Sequence, residues 1–115
     1  MGYRVIIQLT GAEDALIKST AGQIQNLLRA LQADLEIRLV CHGQSLVFVL
    51  SEGNIWGELI RDLMEKKVEI FACENMLHSH GKSAGDLFAG ILTVPSAIAE
   101  IVVRQQEGWS YIKAG

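Results

Sequence analysis

The alternation of two kinds of segment constrains this chain more than any other feature of its sequence. Short runs rich in β-branched and other apolar residues alternate with longer amphipathic segments, and the short runs are Tyr3–Leu9, Leu35–Cys41, the start of 68–77, 90–94 and 109–113. Strands separated by helices of ten or more residues are joined by right-handed crossovers, which make neighbouring strands parallel. The pattern therefore predicts an α/β fold, a three-layer α/β/α sandwich with a mostly parallel sheet of four or five strands. For such a sheet we expect the flavodoxin-like order 2-1-3-4-5.

The first amphipathic segment is the clearest helix. Its apolar residues step by four, three, four and three positions, and they are Ile17, Ala21, Ile24, Leu28 and Leu31. This spacing predicts one buried stripe along a helix of about five turns. Thr10 and Glu13 have the spacing of a capping box just before it.

Three later segments are less clear. Residues 46–50 are all apolar and have no period, so they fit either a strand or a short buried helix. Asn54 is predicted to cap a helix whose apolar face begins at Trp56. Pro95 and Ser96 are predicted to start a last helix, with Ile98, Ile101, Val102 and Gln105 on one face.

Size and charge exclude several classes of protein. The chain has 115 residues, of which 50% are apolar, so it can bury one core, and we expect a single domain over residues 1–115. The net charge is −3 and the basic residues are scattered, which argues against nucleic-acid binding. The densest apolar run is too short to span a bilayer and the N-terminus has no signal-peptide pattern, so we expect a soluble cytoplasmic protein that does not bind membranes.

No cofactor or metal is expected. Thr10, Gly11 and Ala12 lack the spacing of a phosphate-binding loop. Cys73, His78 and His80 are close in sequence, but no second Cys or His completes a zinc pattern.

The carboxyl ends of parallel strands meet at one edge of a sheet, where ligands of such folds bind. In the predicted topology four strand ends meet at this edge. They carry Thr10 and Gly11, Cys41 to Gly43, Cys73 to Asn75, and Pro95 and Ser96. This edge is the candidate site.

Cys73 is the residue with the most distinctive chemistry at that edge. It follows a β-rich run and precedes what we predict to be a helix capped by Asn75, so its thiol would face unpaired backbone N–H groups that favour the thiolate. His42 could serve as a proton donor or a stabilising cation, and Asn75 could hold the loop or bind a ligand. Glu74 acts in the opposite direction, because a neighbouring carboxylate disfavours thiolate. The alternative is that Cys73 is a small buried residue at a strand end.

The other cysteine, Cys41, lies in an apolar strand and is expected in the core. In a 2-1-3 order the strands of Cys41 and Cys73 flank the first strand, so their ends would lie roughly 9.5 Å apart. That separation is too large for a disulfide.

Several segments together carry a resemblance. They are Gln25 to Leu28, Val40 to Gly43, the Cys-x-Asn within 68–77, Val94 to Ser96, and Glu107 to Lys113. With these segments the chain resembles the DsrE/DsrF-like family, and within it the small DsrE-like proteins related to the sulfur-relay subunits DsrE and TusD. The resemblance implies a cysteine that carries sulfur as a persulfide to a partner, within cytoplasmic trimers or hexamers. One departure is Met76, where this branch often has Thr.

The sequence thus predicts a sulfur carrier or sulfurtransferase in which Cys73 and His42 are catalytic. The predicted ligand-binding residues are Gly43, Glu74, Asn75, Thr10 and Ser96. Expected partners are a sulfur donor, a sulfur acceptor and further copies of the chain, since the apolar run 46–50 and the apolar edge at 109–113 favour a homo-oligomer. The alternatives are a non-catalytic module that binds a small anion or nucleotide, and an oligomeric scaffold.

Overall fold

The computed structural model describes residues 2–114, which form five strands, five α-helices and one 3-10 turn. The strands are β1 Tyr3–Leu9, β2 Leu35–Cys41, β3 Val68–Cys73, β4 Leu92–Val94 and β5 Ser110–Ala114. The helices are α1 Asp14–Leu31, α2 Leu46–Val49, α3 Gly57–Glu65, α4 Glu74–Ser79 and α5 Ala97–Gln106, and the 3-10 turn is Ala84–Asp86.

All five strands are parallel, in the order β4-β3-β2-β1-β5. The predicted fold class, an α/β protein with a parallel sheet between helices, is confirmed. The strand order differs from the predicted 2-1-3-4-5, because β2 and not β1 lies next to β3. A crossover can step to either side of its strand, and the residues of the connecting helices do not encode which side it takes. The last connection, through α5, runs from β4 at one edge of the sheet to β5 at the other edge, beside β1. The segment 109–113 was predicted to form such an edge strand.

The two faces of the sheet carry different helices. On one face α1 packs against β1 and β5, with Ile24 close to Ile7 and Ile112. Gln25 of α1 donates a hydrogen bond to Asp62 of α3 (3.1 Å), so these helices lie side by side. On the other face lies α5.

Arg38 joins α5 to the centre of its face of the sheet. Its guanidinium lies 5.3 Å from the ring of Phe71 and 5.0 Å from that of Trp109. Its Nη1 donates to Glu100 of α5 at 2.6 Å. Trp109 is buried by this packing within its own chain, so the apolar edge at 109–113 is smaller than the sequence suggests.

Helix starts differ from the predictions at two places. α1 begins at Asp14 with Glu13 in the N-cap position and no side-chain cap, so the Thr10–Glu13 capping box is not formed. α3 begins at Gly57 with Trp56 in the N-cap position. Asn54 stabilises the preceding loop instead, since its side chain accepts from the Trp56 N–H (2.8 Å) and donates to the carbonyls of Phe48 and Leu50.

The ambiguous run 46–50 is mainly helical. α2 covers Leu46–Val49 and buries Phe48 and Val49, while Leu50 forms an isolated bridge to Leu87. Val47 is 55% exposed, so the run is only partly buried within its own chain.

α5 starts as predicted, with Ser96 as its cap. However, the residues it buries are Ala97 and Ile101, whereas Ile98 and Val102 are 55% and 53% exposed. The predicted packing face of this helix was wrong, because apolar residues occupy both sides of α5 and the sequence does not show which side meets the sheet.

Within residues 2–114, no helix has the length and apolar character needed to cross a membrane.

Candidate functional site

An open pocket of about 320 Å³ lies at the carboxyl ends of the strands. It is lined by His42, Gly43, Cys73, Asn75, Met76, Ser79, His80, Ser96, Ala97 and Ile98. The structure thus brings five of the seven predicted site residues to one pocket. Glu74 and Thr10 do not line it. The carbonyl of Thr10 accepts a hydrogen bond from the Gln44 N–H (2.8 Å), so its observed role is to hold the loop after β2.

Cys73 lies where β3 passes into α4. It is the last residue of the strand and the N-cap residue of the helix, and its side chain is only 5% exposed. α4 begins at Glu74, so Asn75 lies within the first turn and is not the predicted cap. Cys73 Sγ accepts a hydrogen bond from the backbone N–H of Ala97 at 3.4 Å. Cys73 therefore also contacts the beginning of a second helix, α5, and this contact was not predicted from the sequence.

The first amide groups of α5 explain this contact. The N–H of Ala99 donates to Ser96 Oγ (3.2 Å), and that of Glu100 donates to the Ser96 carbonyl (3.0 Å). The N–H of Ala97 donates to Cys73 Sγ. Among residues 2–114 we find no acceptor for the N–H of Ile98. Because N–H groups and the dipole at a helix start favour negative charge, this end of α5 suits an anionic sulfur.

Cys41 has a different environment although its strand adjoins that of Cys73. Cys41 pairs in register with Ala72, so Cys41 and Cys73 point to opposite faces of the sheet. Both cysteines are free, as predicted, but the reason is this opposition of faces and not a separation of two strand spacings. Cys41 is fully buried, and burial raises the pKa of its thiol far above the ordinary range.

His42 is held from both sides. Its backbone N–H donates to the carbonyl of Leu9 (3.1 Å), and its own carbonyl accepts from Ser45 Oγ (2.8 Å). On the imidazole, Nε2 lies 2.7 Å from Gln8 Nε2, and Gln8 in turn is bonded by the hydroxyl of Tyr111. Partial burial lowers the pKa of His42 from its ordinary value, which favours the neutral imidazole.

Sequence reasoning missed several lining residues. Ala97 and Ile98 follow directly from Ser96 as a helix cap, so they could have been inferred. Gln8 is a polar residue within an apolar strand, a signal that was present but not used. No signal in the sequence places Ser79 in the pocket, whereas Met76 and His80 lie in the segment that directly follows Cys73 and could have been expected to border the site. In the described part of the chain, no three His, Cys, Asp or Glu side chains are grouped as metal ligands.

The sequence matches a protein-family model, that of the DsrE/DsrF-like family, over residues 4–114. The chain belongs to this family. Membership of the DsrE/DsrF-like family suggests a role in sulfur relay in general. No curated protein matches the chain closely enough to name a more specific role.

Two solved structures have the same fold. A protein of unknown function from Methanobacterium thermoautotrophicum, MTH1491, superposes with a TM-score of 0.91 at 26% identity, covering 96% of this chain and 98% of that one. The ychN protein of E. coli superposes with a TM-score of 0.73 at 17% identity, covering 98% of this chain and 99% of that one. At that identity the second likeness shows the fold alone.

Proposed function

We propose that this DsrE-like protein is a sulfur carrier in which Cys73 accepts sulfane sulfur as a persulfide and passes it to a partner. The observation that carries the proposal is the hydrogen bond from the Ala97 N–H to Cys73 Sγ in an open pocket. A thiolate is the reactive form of cysteine, and a helix N-terminus stabilises it. The family's association with sulfur relay supplies the kind of group that such a thiolate would carry.

The proposed transfer is an exchange of S–S bonds without net oxidation. The Cys73 thiolate attacks the outer sulfur of a donor persulfide, R–S–SH. The new bond gives Cys73–S–SH, and the electron pair of the broken bond leaves on the donor as R–S⁻. An acceptor thiolate then attacks the outer sulfur of Cys73–S–SH, and the Cys73 thiolate leaves.

Other lining groups have roles around this sulfur. His42 is proposed to donate a hydrogen bond to the outer sulfur, and the N–H of Ile98, which has no acceptor among residues 2–114, is proposed as a second donor. Asn75, Gly43 and Ser96 shape the pocket, Ser96 by fixing the start of α5. Glu74 and Thr10 are left out of the proposed site because they do not line the pocket.

The proposed partners are a persulfide donor, a thiol acceptor and further copies of the chain. Ile98, Val102 and Val103 are exposed on α5, and Ile98 also lines the pocket, so a protein that covered this face would border Cys73. Two free cysteines suit a reducing compartment, and we propose the cytoplasm.

The test is sulfur loading followed by mass spectrometry of the intact protein. Wild type, Cys41→Ala and Cys73→Ser are treated with inorganic polysulfide and then alkylated. We expect wild type and Cys41→Ala to gain the mass of one sulfur atom at Cys73, and Cys73→Ser to gain none while its circular dichroism is unchanged. Loading at Cys41, or no loading of a folded wild type, would refute the proposal. In the latter case, saturable binding of a small anion that survives Cys73→Ser would favour a non-catalytic binding module.

A further inference from the structure

His80 lies at the end of α4 and lines the same pocket as Cys73. Its ring nitrogen Nδ1 is 2.9 Å from the backbone carbonyl oxygen of Met76. A carbonyl oxygen only accepts hydrogen bonds, so Nδ1 is the donor and carries a proton. In the neutral imidazole the free lone pair therefore lies on Nε2. Among residues 2–114 we find no protein group bonded to Nε2, so this lone pair is available to a ligand.

The end of α4 holds this ring in place. The N–H groups of His80 (3.1 Å) and Lys82 (2.8 Å) both donate to the carbonyl of Leu77, which closes the helix. Met76, whose carbonyl binds the ring, is buried. His80 itself is exposed, so an incoming molecule can reach its ring while the bond at Nδ1 fixes the orientation of the ring.

Cys73 and His80 flank the same helix as its N-cap and C-cap residues. They are seven positions apart, which is nearly two turns, so their side chains lie on the same side of α4. At the usual helical rise their Cα atoms are about 10 Å apart along the axis. Helical side chains lean towards the N-terminus, and the bond from Nδ1 to the carbonyl four positions earlier shows this direction for His80. His80 therefore leans towards Cys73 from the far end of α4.

This spacing suits a base that acts on the molecule that removes the sulfur. On a loaded protein the outer sulfur would lie about 2 Å from Cys73 Sγ. An attacking thiol approaches that sulfur to about 3.5 Å, and a base takes its proton across about 3 Å more. Such a base is therefore needed roughly 8–9 Å from Cys73 Sγ, with both sulfur atoms between them. A group in contact with Cys73 could not occupy this position.

We propose that His80 is a catalytic base of the site, whose Nε2 takes the proton of the acceptor thiol as that thiol attacks the persulfide on Cys73. This inference rests on the proposed function. The acceptor R′–SH gives its proton to Nε2, and its sulfur forms the new S–S bond of R′–S–SH. The bond between Cys73 Sγ and the outer sulfur breaks, and its electron pair leaves on the Cys73 thiolate. The proton on Nε2 then passes to solvent.

Other titratable groups surround His80. From β3 and the end of β2, Cys73 and His42 line the same pocket, whereas the residues that α5 contributes to it have no ionisable side chain. α4 and the loop after it carry three further titratable residues, Glu74, His78 and Lys82. A substitution of His80 alone leaves all of these groups in place. His78 is a matched control, because it is an exposed histidine of the same helix that does not line the pocket.

The test separates loading of sulfur from its release. Wild type, His80→Gln and His78→Gln are loaded with inorganic polysulfide, desalted and mixed with a short cysteine peptide as the acceptor. Mass spectrometry then follows the loss of sulfur from Cys73. At about pH 7 only about 3% of a free cysteine thiol is ionised, so a base can raise the supply of thiolate by at most about 30-fold. We expect release about tenfold slower in His80→Gln and unchanged in His78→Gln.

Three further readouts distinguish a base from a structural residue. At about pH 10 the acceptor is already a thiolate, so wild type and His80→Gln should release sulfur at equal rates. Imidazole added at neutral pH should speed release in His80→Gln more than in wild type. Loading, in which Cys73 is itself the attacking group, should be equal in all three proteins. In addition, ¹⁵N NMR of the histidine rings, assigned with His80→Gln, should show the proton of neutral His80 on Nδ1.

Each failure has its own signature. A proton of neutral His80 on Nε2, or release unchanged in His80→Gln at neutral pH, overturns the base and leaves the sulfur carrier standing if wild type loads. A slower release that persists at high pH also overturns the base, because it would show a damaged pocket instead of a missing proton acceptor. A wild type that never loads refutes the proposed function, and the base is refuted with it.

Discussion

Two glycine-to-alanine substitutions should have opposite effects on stability. Gly43 follows His42 in the loop beside the pocket and has φ +65°, a left-handed conformation. Its added Cβ would lie 3.4 Å from the Thr10 carbonyl oxygen and 3.5 Å from Thr10 Cβ, which is ordinary contact. The cost of Gly43→Ala is therefore conformational, about 1–2 kcal/mol.

Gly22 is the matched control. It lies inside α1, and a Cβ added there meets nothing within 4 Å. Alanine in a helix interior is favoured over glycine by about 1 kcal/mol, so Gly22→Ala should raise the free energy of unfolding by roughly that amount. The same chemical change at the two sites should thus give free energies that differ by about 2–3 kcal/mol.

Urea denaturation followed by tryptophan fluorescence measures both variants, since Trp56 and Trp109 are buried and report on unfolding. Gly43→Asn should recover part of the loss, because asparagine tolerates the left-handed region better than alanine. The reasoning fails if Gly43→Ala is as stable as Gly22→Ala, which would mean that the loop carrying His42 does not need the left-handed conformation.

Three further predictions concern the core and the site. Arg38→Met should lower the free energy of unfolding by about 2 kcal/mol, because Glu100 loses its partner at 2.6 Å and keeps the longer contact with Arg104 at 3.5 Å, and Arg38→Met with Glu100→Leu should recover part of it in a double-mutant cycle of urea titrations. Burial lowers the pKa of His42 below 6.5, so below that pH the unfolded chain binds a proton more readily than the folded one. Stability should therefore fall as pH drops through that range, and His42→Gln should weaken the dependence in urea titrations at stepped pH. Iodoacetamide should leave Cys41 unmodified in the native protein and modify it in urea, as peptide mass spectrometry would show, because this thiol is fully buried and burial raises its pKa.

The sequence was informative wherever one element has one clear pattern. The stripe from Ile17 to Leu31 predicted α1, and Pro95 with Ser96 correctly marked the start of α5. The run that starts at Val68 led to a strand ending at Cys73. In these cases the periodicity and the capping chemistry act within a few residues, so they can be recognised locally.

The features that the sequence did not predict have a common physical cause. They depend on which strands and helices are neighbours in the fold. The order of β1, β2 and β3 is not encoded in any one segment. The contact between Cys73 and Ala97 joins residues 24 positions apart. The link from Tyr111 to Gln8 spans 103 positions, and only the return of β5 to the side of β1 creates it. Sequence patterns could therefore bring Cys73, His42 and three other lining residues to one edge of the sheet, but they could not show the hydrogen bonds that Cys73 and His42 make.

The opposite orientation of the two cysteines has a consequence for how a persulfide on Cys73 would release its outer sulfur. In a protein with two thiols on one face, the second thiolate can attack the inner sulfur of a persulfide, close an internal disulfide and expel hydrosulfide. Here Cys41 lies on the other side of the sheet from Cys73, buried in the core, so the folded chain cannot discharge itself in this way. A sulfur atom loaded on Cys73 would wait for a thiol from outside, and its lifetime on the protein would be set by the acceptor it meets.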